Sequence, residues 1–167
     1  MMRRRSLGAL GALVLAGAHQ ALWATAAGEA APDVALPDCR IAGRLSDLRG
    51  RWVYLDFWAS WCAPCRLSFP WMNELQAAHR AQGLLVLAIN VDTRRRDAED
   101  FLARHPAQFA LAFDSAGEAA RRFAIKSMPS SALVDPRGVV RFTHRGFRLD
   151  DRAELQARVS AALQGTA

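Results

Sequence analysis

Two cysteines separated by two residues are the part of this chain best suited to chemistry. Cys62 and Cys65 stand in the segment Trp-Cys-Ala-Pro-Cys, where a disulfide closes at almost no chain cost. An apolar run precedes the pair and a helical pattern follows it, so Cys62 is expected at the N-terminus of a helix. Free N–H groups and the helix macrodipole stabilise a thiolate at that position. The spacing therefore predicts a dithiol that is oxidised and reduced.

The segment before the cysteines predicts a strand that is buried on both faces. Residues 52–58 read Trp-Val-Tyr-Leu-Asp-Phe-Trp and are mostly β-branched or aromatic. Asp56 is the exception, because a carboxylate in a central strand is costly unless it is neutralised or has a role. Two interpretations stay open: an aspartate that reaches solvent from the strand end, and a buried proton acceptor close to the cysteines. We favour the second.

The patterns that follow alternate between helices and strands. The helix after the cysteines is predicted to bury Leu67, Trp71, Leu75 and Ala78 and to kink at Pro70. Further elements are predicted as a strand over 84–91, a helix over 97–105, a strand over 109–113, a helix from 115, two antiparallel strands over 132–142, and a last helix capped within Asp150-Asp151. With an N-terminal hairpin over 32–45, this order describes an α/β fold with a central mixed sheet and helices on both faces.

The first 26 residues have the features of a secretory signal peptide. Three arginines precede an apolar run, and small residues stand at positions 24–26, where a signal peptidase cleaves. The run is shorter than the about 20 residues of a membrane span, so an uncleaved anchor is the weaker alternative. We divide the chain into a signal peptide (1–26), a flexible leader (27–31) and one domain (32–167), and we expect this domain in the periplasm.

Charge and cysteine count argue against two classes of protein. Without the signal peptide, the 22 basic residues fall by three to 19, against 16 acidic residues, which leaves a charge of +3. This modest excess does not suggest a nucleic-acid-binding protein. A structural disulfide framework would need paired cysteines spread through the chain, whereas Cys39 is left over. Cys39 is interpreted as a buried or half-buried free thiol, with intermolecular pairing as the alternative.

Three separate motifs resemble the thioredoxin superfamily. Residues 56–66 read Asp-Phe-Trp-Ala-Ser-Trp-Cys-Ala-Pro-Cys-Arg, Pro70 follows five residues after Cys65, and Met128-Pro129 precedes a strand. The leader, the Leu-Pro-Asp and Leu-Arg-Gly segments before the first strand, and a mid-chain insertion over 93–112 are similar to the exported TlpA/ResA branch. This branch includes the cytochrome c maturation reductases. The resemblance covers roughly residues 32–164 and implies a thioredoxin-like fold.

The resemblance implies a role for each residue of the motifs. Cys62, at an exposed helix start, attacks a substrate disulfide, and Cys65 resolves the mixed disulfide. Asp56 takes the proton of the second cysteine. Pro129 corresponds to a cis-proline, which would bring the backbone of Met128 beside Cys62 to pair with an extended substrate strand.

The same resemblance predicts a substrate groove around the dithiol. It is expected to be lined by Trp61, Ala63, Pro64 and Met128, with Trp61 exposed, whereas Trp58 is assigned to the core.

Two residues depart from the pattern of the family. Ser68 stands where many exported members carry an acidic residue, so acid–base help is not expected there. Ala88 stands where thioredoxin itself has a lysine near the buried acid, so Asp56 should experience less positive charge.

These features predict a periplasmic thiol-disulfide oxidoreductase that reduces disulfides in exported, cysteine-containing client proteins, with apocytochrome c as a candidate client. A membrane electron donor of the thiol-transfer type is expected to keep it reduced. We expect a monomer without cofactor, metal or nucleic acid. The pair Ala63-Pro64 lacks the histidine that strongly oxidising members place between the cysteines, which favours reduction. A thiol oxidase of the same fold stays open.

Two other chemistries are less favoured. A copper-binding chaperone would use Cys62, Cys65 and His144, but copper carriers of related fold typically have cysteines three residues apart. A peroxidase of the peroxiredoxin kind needs a proline and a hydroxyl residue where this chain has Leu55 and Ala59.

Overall fold

The computed structural model describes residues 26–165 as an α/β fold around one sheet. Residues 1–25, which hold almost all of the predicted signal peptide, lie outside the described residues. The five strands are β1 (Trp52–Trp58), β2 (Leu84–Asn90), β3 (Ala110–Phe113), β4 (Ser130–Val134) and β5 (Val140–Arg145). The four α-helices are α1 (Ala63–His79), α2 (Arg95–Arg104), α3 (Glu118–Arg122) and α4 (Asp151–Gln164). Between residues 26 and 165, no helix has both the length and the apolar character that crossing a membrane requires.

The sheet is mixed, with β1 at its centre. Its strand order is β3-β2-β1-β4-β5; β1 pairs in parallel with β2 and antiparallel with β4. Alternate residues of β1 divide between two apolar clusters, because successive side chains of a strand point to opposite faces. Tyr54 and Trp58 pack with α1, α2 and α4, whereas Leu55 and Phe57 pack with α3 and the N-terminal segment. The predicted mixed sheet with helices on both faces is confirmed.

Helix α1 begins directly after the first cysteine, as predicted, but its buried face was assigned partly wrongly. Leu67 and Ala78 are exposed and not buried, while Phe69 and Met72 are fully buried. Trp71 and Leu75 are buried as predicted. The apolar face is therefore wider than the single stripe that the spacing suggested, because the helix packs against α2 and α4 as well as the sheet.

The N-terminal segment pairs with itself less extensively than the predicted hairpin. Ala35 and Arg44 form one isolated antiparallel bridge, and no strand is assigned over 32–45. The carbonyl oxygen of Pro37 accepts a hydrogen bond from the N–H of Phe113 on β3, at 3.0 Å. Asp38 then has φ +57°, which turns the chain away from this strand. Prolines 32 and 37, which lack an N–H, prevent a longer ladder.

Gln76 of α1 replaces a strand at the edge of the sheet. Strand β3 begins opposite Leu87, so the first residues of β2 pair with β1 on one side and have no strand on the other. The Gln76 side chain donates to the carbonyl of Leu84 at 3.0 Å and accepts from the N–H of Val86 at 2.8 Å. One amide thus satisfies a backbone donor and a backbone acceptor that would otherwise be buried without partners.

Strand β5 lies between two turns that the sequence predicted. The turn before it is confirmed, whereas the capping residue predicted for the helix after it is wrong. The predicted tight turn joins β4 to β5, and Asp135 Oδ1 accepts from the N–H groups of Arg137 and Val139, both at 2.9 Å. The last helix has no side-chain cap from Asp150. Asp151 instead accepts from the N–H of Arg148, at 2.8 Å, and so closes the turn before α4.

Candidate active site

The two cysteines of the motif are joined in a disulfide at the start of α1. Their Cα atoms lie 5.3 Å apart, and Cys62 is the N-cap residue of the helix. The backbone N–H of Cys65 donates to Cys62 Sγ at 3.2 Å. Ala63 and Pro64 fill the first turn, where the missing N–H of proline costs nothing. Once the disulfide is reduced, the same N–H and the helix N-terminus favour negative charge on the Cys62 sulfur.

The two cysteines differ in their access to solvent. Cys65 is completely buried, and Cys62 is 3% exposed, which is less than the exposed position predicted for it. The exposed neighbours are Trp61, with 67% of its surface accessible, and Ala63. Trp58 lies in the core, as predicted. Of the two sulfurs, only that of Cys62 belongs to a residue with any surface for a client to reach.

Asp56 lies in the interior of the protein, within β1. It shares its face of β1 with Tyr54 and Trp58, which belong to the same apolar cluster as both cysteines. The residue is 3% exposed, and its Oδ2 atom is buried without a hydrogen-bond partner. Burial raises the pKa of Asp56 well above its usual range. The carboxyl group therefore keeps a proton at pH values where a surface aspartate is ionised.

No cation compensates the charge of Asp56 from the neighbouring strands. Ala88 lies beside Asp56 on β2, where the sequence predicted no lysine, and Ser131 lies beside Asp56 on β4. The hydroxyl of Tyr54 donates to Ser131 Oγ at 2.8 Å. Burial, and then the charge of Asp56, raise the pKa of Tyr54 far above its usual range. Tyr54 and Ser131 therefore bond to each other and leave the carboxyl group unpartnered.

A hydrogen-bonded network that the sequence did not reveal holds the loop before Cys62. Asp92, which follows β2, is buried and accepts from the N–H and the hydroxyl of Ser60, both at 2.9 Å. It also accepts from Asn90 Nδ2 at 2.7 Å. The ends of two adjacent parallel strands meet at one edge of the sheet, and the polar pair at the end of β2 was the available signal. This network positions the cysteine motif against β2.

The Met128–Pro129 segment precedes β4, whose first residues pair with the end of β1. Its peptide bond is cis, the isomer that the resemblance implied. Pro129 is buried, and its carbonyl oxygen accepts from the N–H of Gly146 at 2.8 Å. Met128 is half-buried, and its backbone N–H and C=O have no hydrogen-bond partner within residues 26–165. These two groups are free to pair with an extended chain.

The remaining candidate residues do not join the dithiol. Ser68 is buried, and its hydroxyl donates to the carbonyl oxygen of Cys65 at 3.1 Å. A serine at this position supplies no acidic group. His144 lies on β5, with its Nε2 atom 3.5 Å from Asp151 Oδ2. In the described part of the chain, no three His, Cys, Asp or Glu side chains converge to hold a metal ion. The ligand set that the copper alternative requires is therefore not assembled there.

Fold and site together define a thioredoxin-like thiol-disulfide oxidoreductase. A sequence model of the AhpC/TSA family matches residues 27–143. The thiol-disulfide oxidoreductase ResA of Geobacillus thermodenitrificans is 35% identical over 136 residues, which cover 81% of this chain and 78% of that protein. ResA of Geobacillus kaustophilus is 36% identical over 119 residues, 71% of this chain and 68% of that protein. The chain belongs to the AhpC/TSA family and, within it, to the ResA-type thiol-disulfide oxidoreductases.

A solved structure supports the same assignment. The crystal structure of a protein described as thiol:disulfide interchange protein DsbE, from Chlorobium tepidum, is 49% identical to this chain. It superposes with a TM-score of 0.78 and covers 82% of this chain and 97% of its own. The sequence-based assignment to this branch of the thioredoxin superfamily is confirmed.

Proposed function

We propose that this protein is exported to the periplasm and reduces disulfides in cysteine-containing client proteins. The observation that carries the proposal is a disulfide at the N-terminus of α1, on the side of the sheet where Asp56 is buried without a hydrogen-bond partner. The signal-peptide pattern of residues 1–26 supports export. Apocytochrome c, whose cysteines must be reduced before haem attachment, is a candidate client.

The reduction of a client disulfide takes two exchange steps. The Cys62 thiolate attacks one client sulfur, which forms a mixed disulfide and releases the other client sulfur as a thiolate. The Cys65 thiolate then attacks Cys62 Sγ, which forms the Cys62–Cys65 disulfide and releases the second client thiolate. Two electrons have passed to the client. The free backbone groups of Met128 hold the client chain as a short antiparallel strand during the attack.

Asp56 serves the second step. Cys65 is completely buried, so its proton needs an acceptor within the protein before the thiolate can attack. A carboxyl group whose pKa is raised by burial is a stronger base than a surface aspartate, so its ionised form accepts the proton of the Cys65 thiol more readily. A membrane electron donor with its own dithiol then reduces the Cys62–Cys65 disulfide by the reverse exchange.

Insulin reduction by the purified protein tests the proposal. Cys62→Ser is expected to abolish turnover, because the attacking sulfur is lost. Cys39→Ser is the matched control, since this free thiol lies outside the motif and should leave the rate unchanged. Turnover that survives in the Cys62→Ser variant contradicts the proposal.

A thiol oxidase of the same fold is the second candidate. The complete burial of Cys65, together with the uncharged neighbours of Asp56 on β2 and β4, stabilises the disulfide over the dithiolate, which favours the reducing direction. Equilibration against glutathione distinguishes the two. A reduction potential of about −270 mV supports the reductase, whereas one of about −120 mV supports the oxidase.

A further inference from the structure

The outer edge of β3 borders a groove that the redox reaction does not use. This β3 groove has a volume of about 790 Å³ and lies between β3, the segment over 38–41, α2 and the end of α1. It reaches Arg51 and Leu84, which stand at the starts of β1 and β2. The cysteines follow the opposite end of β1, so the groove is separate from the dithiol.

The backbone of β3 is open toward this groove. The N–H of Asp114 bonds to Asn90 on the β2 side, whereas the N–H of Phe113 bonds outward to Pro37. Because backbone groups alternate sides along a strand, the N–H and C=O of Leu111 also point outward. The sheet has no strand beyond β3, and no hydrogen bond to these two groups exists within the described residues. The N-terminal chain covers the edge only at Phe113 and turns away at Asp38.

The walls of the groove carry apolar surface. Phe109, Leu111 and Leu102 contribute half-buried apolar side chains, and Ile41 is 51% exposed at the rim. These side chains form apolar surface that can receive alternate side chains of an added strand.

Four arginines and two acidic residues line the groove. Arg95 is bonded to both acids, Asp38 and Glu99, at 2.6 and 3.1 Å, and its guanidinium lies 3.5 Å from the centroid of the Phe113 ring. The other three, Arg40, Arg51 and Arg80, form no ion pair or side-chain hydrogen bond in the described part of the chain. The groove therefore carries an excess of positive charge with no internal partner.

We propose that the β3 groove binds an extended, acidic segment of a partner protein, which adds to the sheet as a strand beside β3. The outward N–H and C=O of Leu111 supply the backbone hydrogen bonds. The unpaired arginines select acidic side chains, and the apolar walls receive the residues that alternate with them. Since the groove is remote from Cys62, this contact holds a partner without occupying the reaction site.

A second copy of the chain is a poorer occupant than an acidic segment. Pairing two β3 edges would bring the unpaired arginines of both copies together, and like charges across an interface oppose association.

Fluorescence anisotropy with a short labelled peptide of alternating glutamate and valine tests the proposal. The purified protein should bind this peptide, and added salt should weaken the binding. The Arg51→Glu/Arg80→Glu variant should bind about tenfold more weakly, because two attractive contacts become repulsive. Arg104→Glu/Arg121→Glu is the matched control: it changes the net charge equally at two exposed arginines outside the groove and should bind within about twofold of the parent protein.

Backbone pairing is tested by changing the peptide and not the protein. A peptide with N-methyl groups on alternate amides keeps its charges but loses its donors, and it should bind about tenfold more weakly. Three results would overturn the proposal. The first is that a lysine–valine peptide binds as tightly as the glutamate–valine peptide, and the second is that both arginine variants lose the same affinity for the glutamate–valine peptide. The third is that the protein self-associates and that Arg51→Glu abolishes this self-association. Insulin reduction should be unchanged in both arginine variants, so a failure here is distinguishable from a failure of the proposed reductase function.

Discussion

Buried aspartates at the centre of this sheet and at its rim, meaning the strand ends and turns, differ in their hydrogen bonding. In the described chain, four aspartates are buried, and three of them lie at strand ends or turns with several hydrogen bonds each. Asp92 holds Ser60 and Asn90, Asp114 accepts from the N-terminal N–H groups of α3, and Asp135 holds the turn before β5. Asp56, at the centre, has none.

The difference separates a structural carboxylate from one that can exchange a proton. Hydrogen bonds to the charged form, from the N–H groups of Val139 and Arg137, outweigh the desolvation of Asp135 and lower its pKa. Burial without such bonds raises the pKa of Asp56. An aspartate fixed by donors stabilises the fold, whereas the unpartnered carboxyl group of Asp56 supports the proton-accepting role that we propose for it.

The largest effect is expected from removing the rim network. Asp92→Ala should lower the free energy of unfolding by about 3 kcal/mol, because it leaves two donors of the half-buried Ser60 and one donor of the buried Asn90 without an acceptor. Chemical denaturation of the oxidised protein measures the loss. Asp114→Ala is the comparison at another rim site, and a loss below about 1 kcal/mol for Asp92→Ala would show that water replaces the carboxylate at no cost.

At the centre, the expected effect is on rate. Asp56→Asn should slow insulin reduction by about 100-fold, because the amide cannot accept the proton of the buried Cys65. The defect should diminish as the pH rises and hydroxide takes over the deprotonation. A variant with the parental rate across the pH range would remove Asp56 from the mechanism.

The two kinds of aspartate should also give opposite pH dependence of stability. Since the pKa of Asp56 is raised on folding, its contribution is complete below about pH 3.9 and is lost as the pH rises toward the folded value. Asp56→Asn should therefore become increasingly stabilising, relative to the parent, from about pH 4 upward. Urea denaturation at a series of pH values measures the difference.

Asp135 is the matched control for that experiment. Its pKa is lowered on folding, so its contribution is present above about pH 3.9 and is lost as the pH falls through the folded value. Asp135→Asn should cost stability at neutral pH and progressively less in acid. The same sign for both variants would contradict the distinction between centre and rim.

The smallest effect is expected beside Asp56. Tyr54→Phe removes the hydroxyl that bonds to Ser131 and should cost about 1 kcal/mol of unfolding free energy, with insulin reduction close to the parental rate. A rate loss as large as that of Asp56→Asn would place Tyr54 in the proton transfer.

Sequence patterns predicted the elements whose signals are local. The apolar run of β1, the position of Cys62 at the start of α1 and the burial of Asp56 depend on neighbours in the chain, and all three appear in the structure. The Ser60–Asp92 network joins two loops that meet only in the folded sheet, so the polar pair at the end of β2 marks one side of it but does not reveal Ser60 as the partner. Leu67 was placed in the core because spacing alone does not reveal which face of α1 lies against solvent.

The two halves of helix α1 differ in how they are hydrogen-bonded to the rest of the protein. Pro70 lacks the N–H that would bond back to the turn carrying the cysteines, so the helical ladder has a gap between that turn and the rest. Beyond the gap, the amide of Gln76 fastens the helix to two backbone groups of β2. The turn that carries the redox disulfide is therefore held by one backbone hydrogen bond fewer than a regular helix provides, whereas the second half of α1 is bonded directly to the sheet.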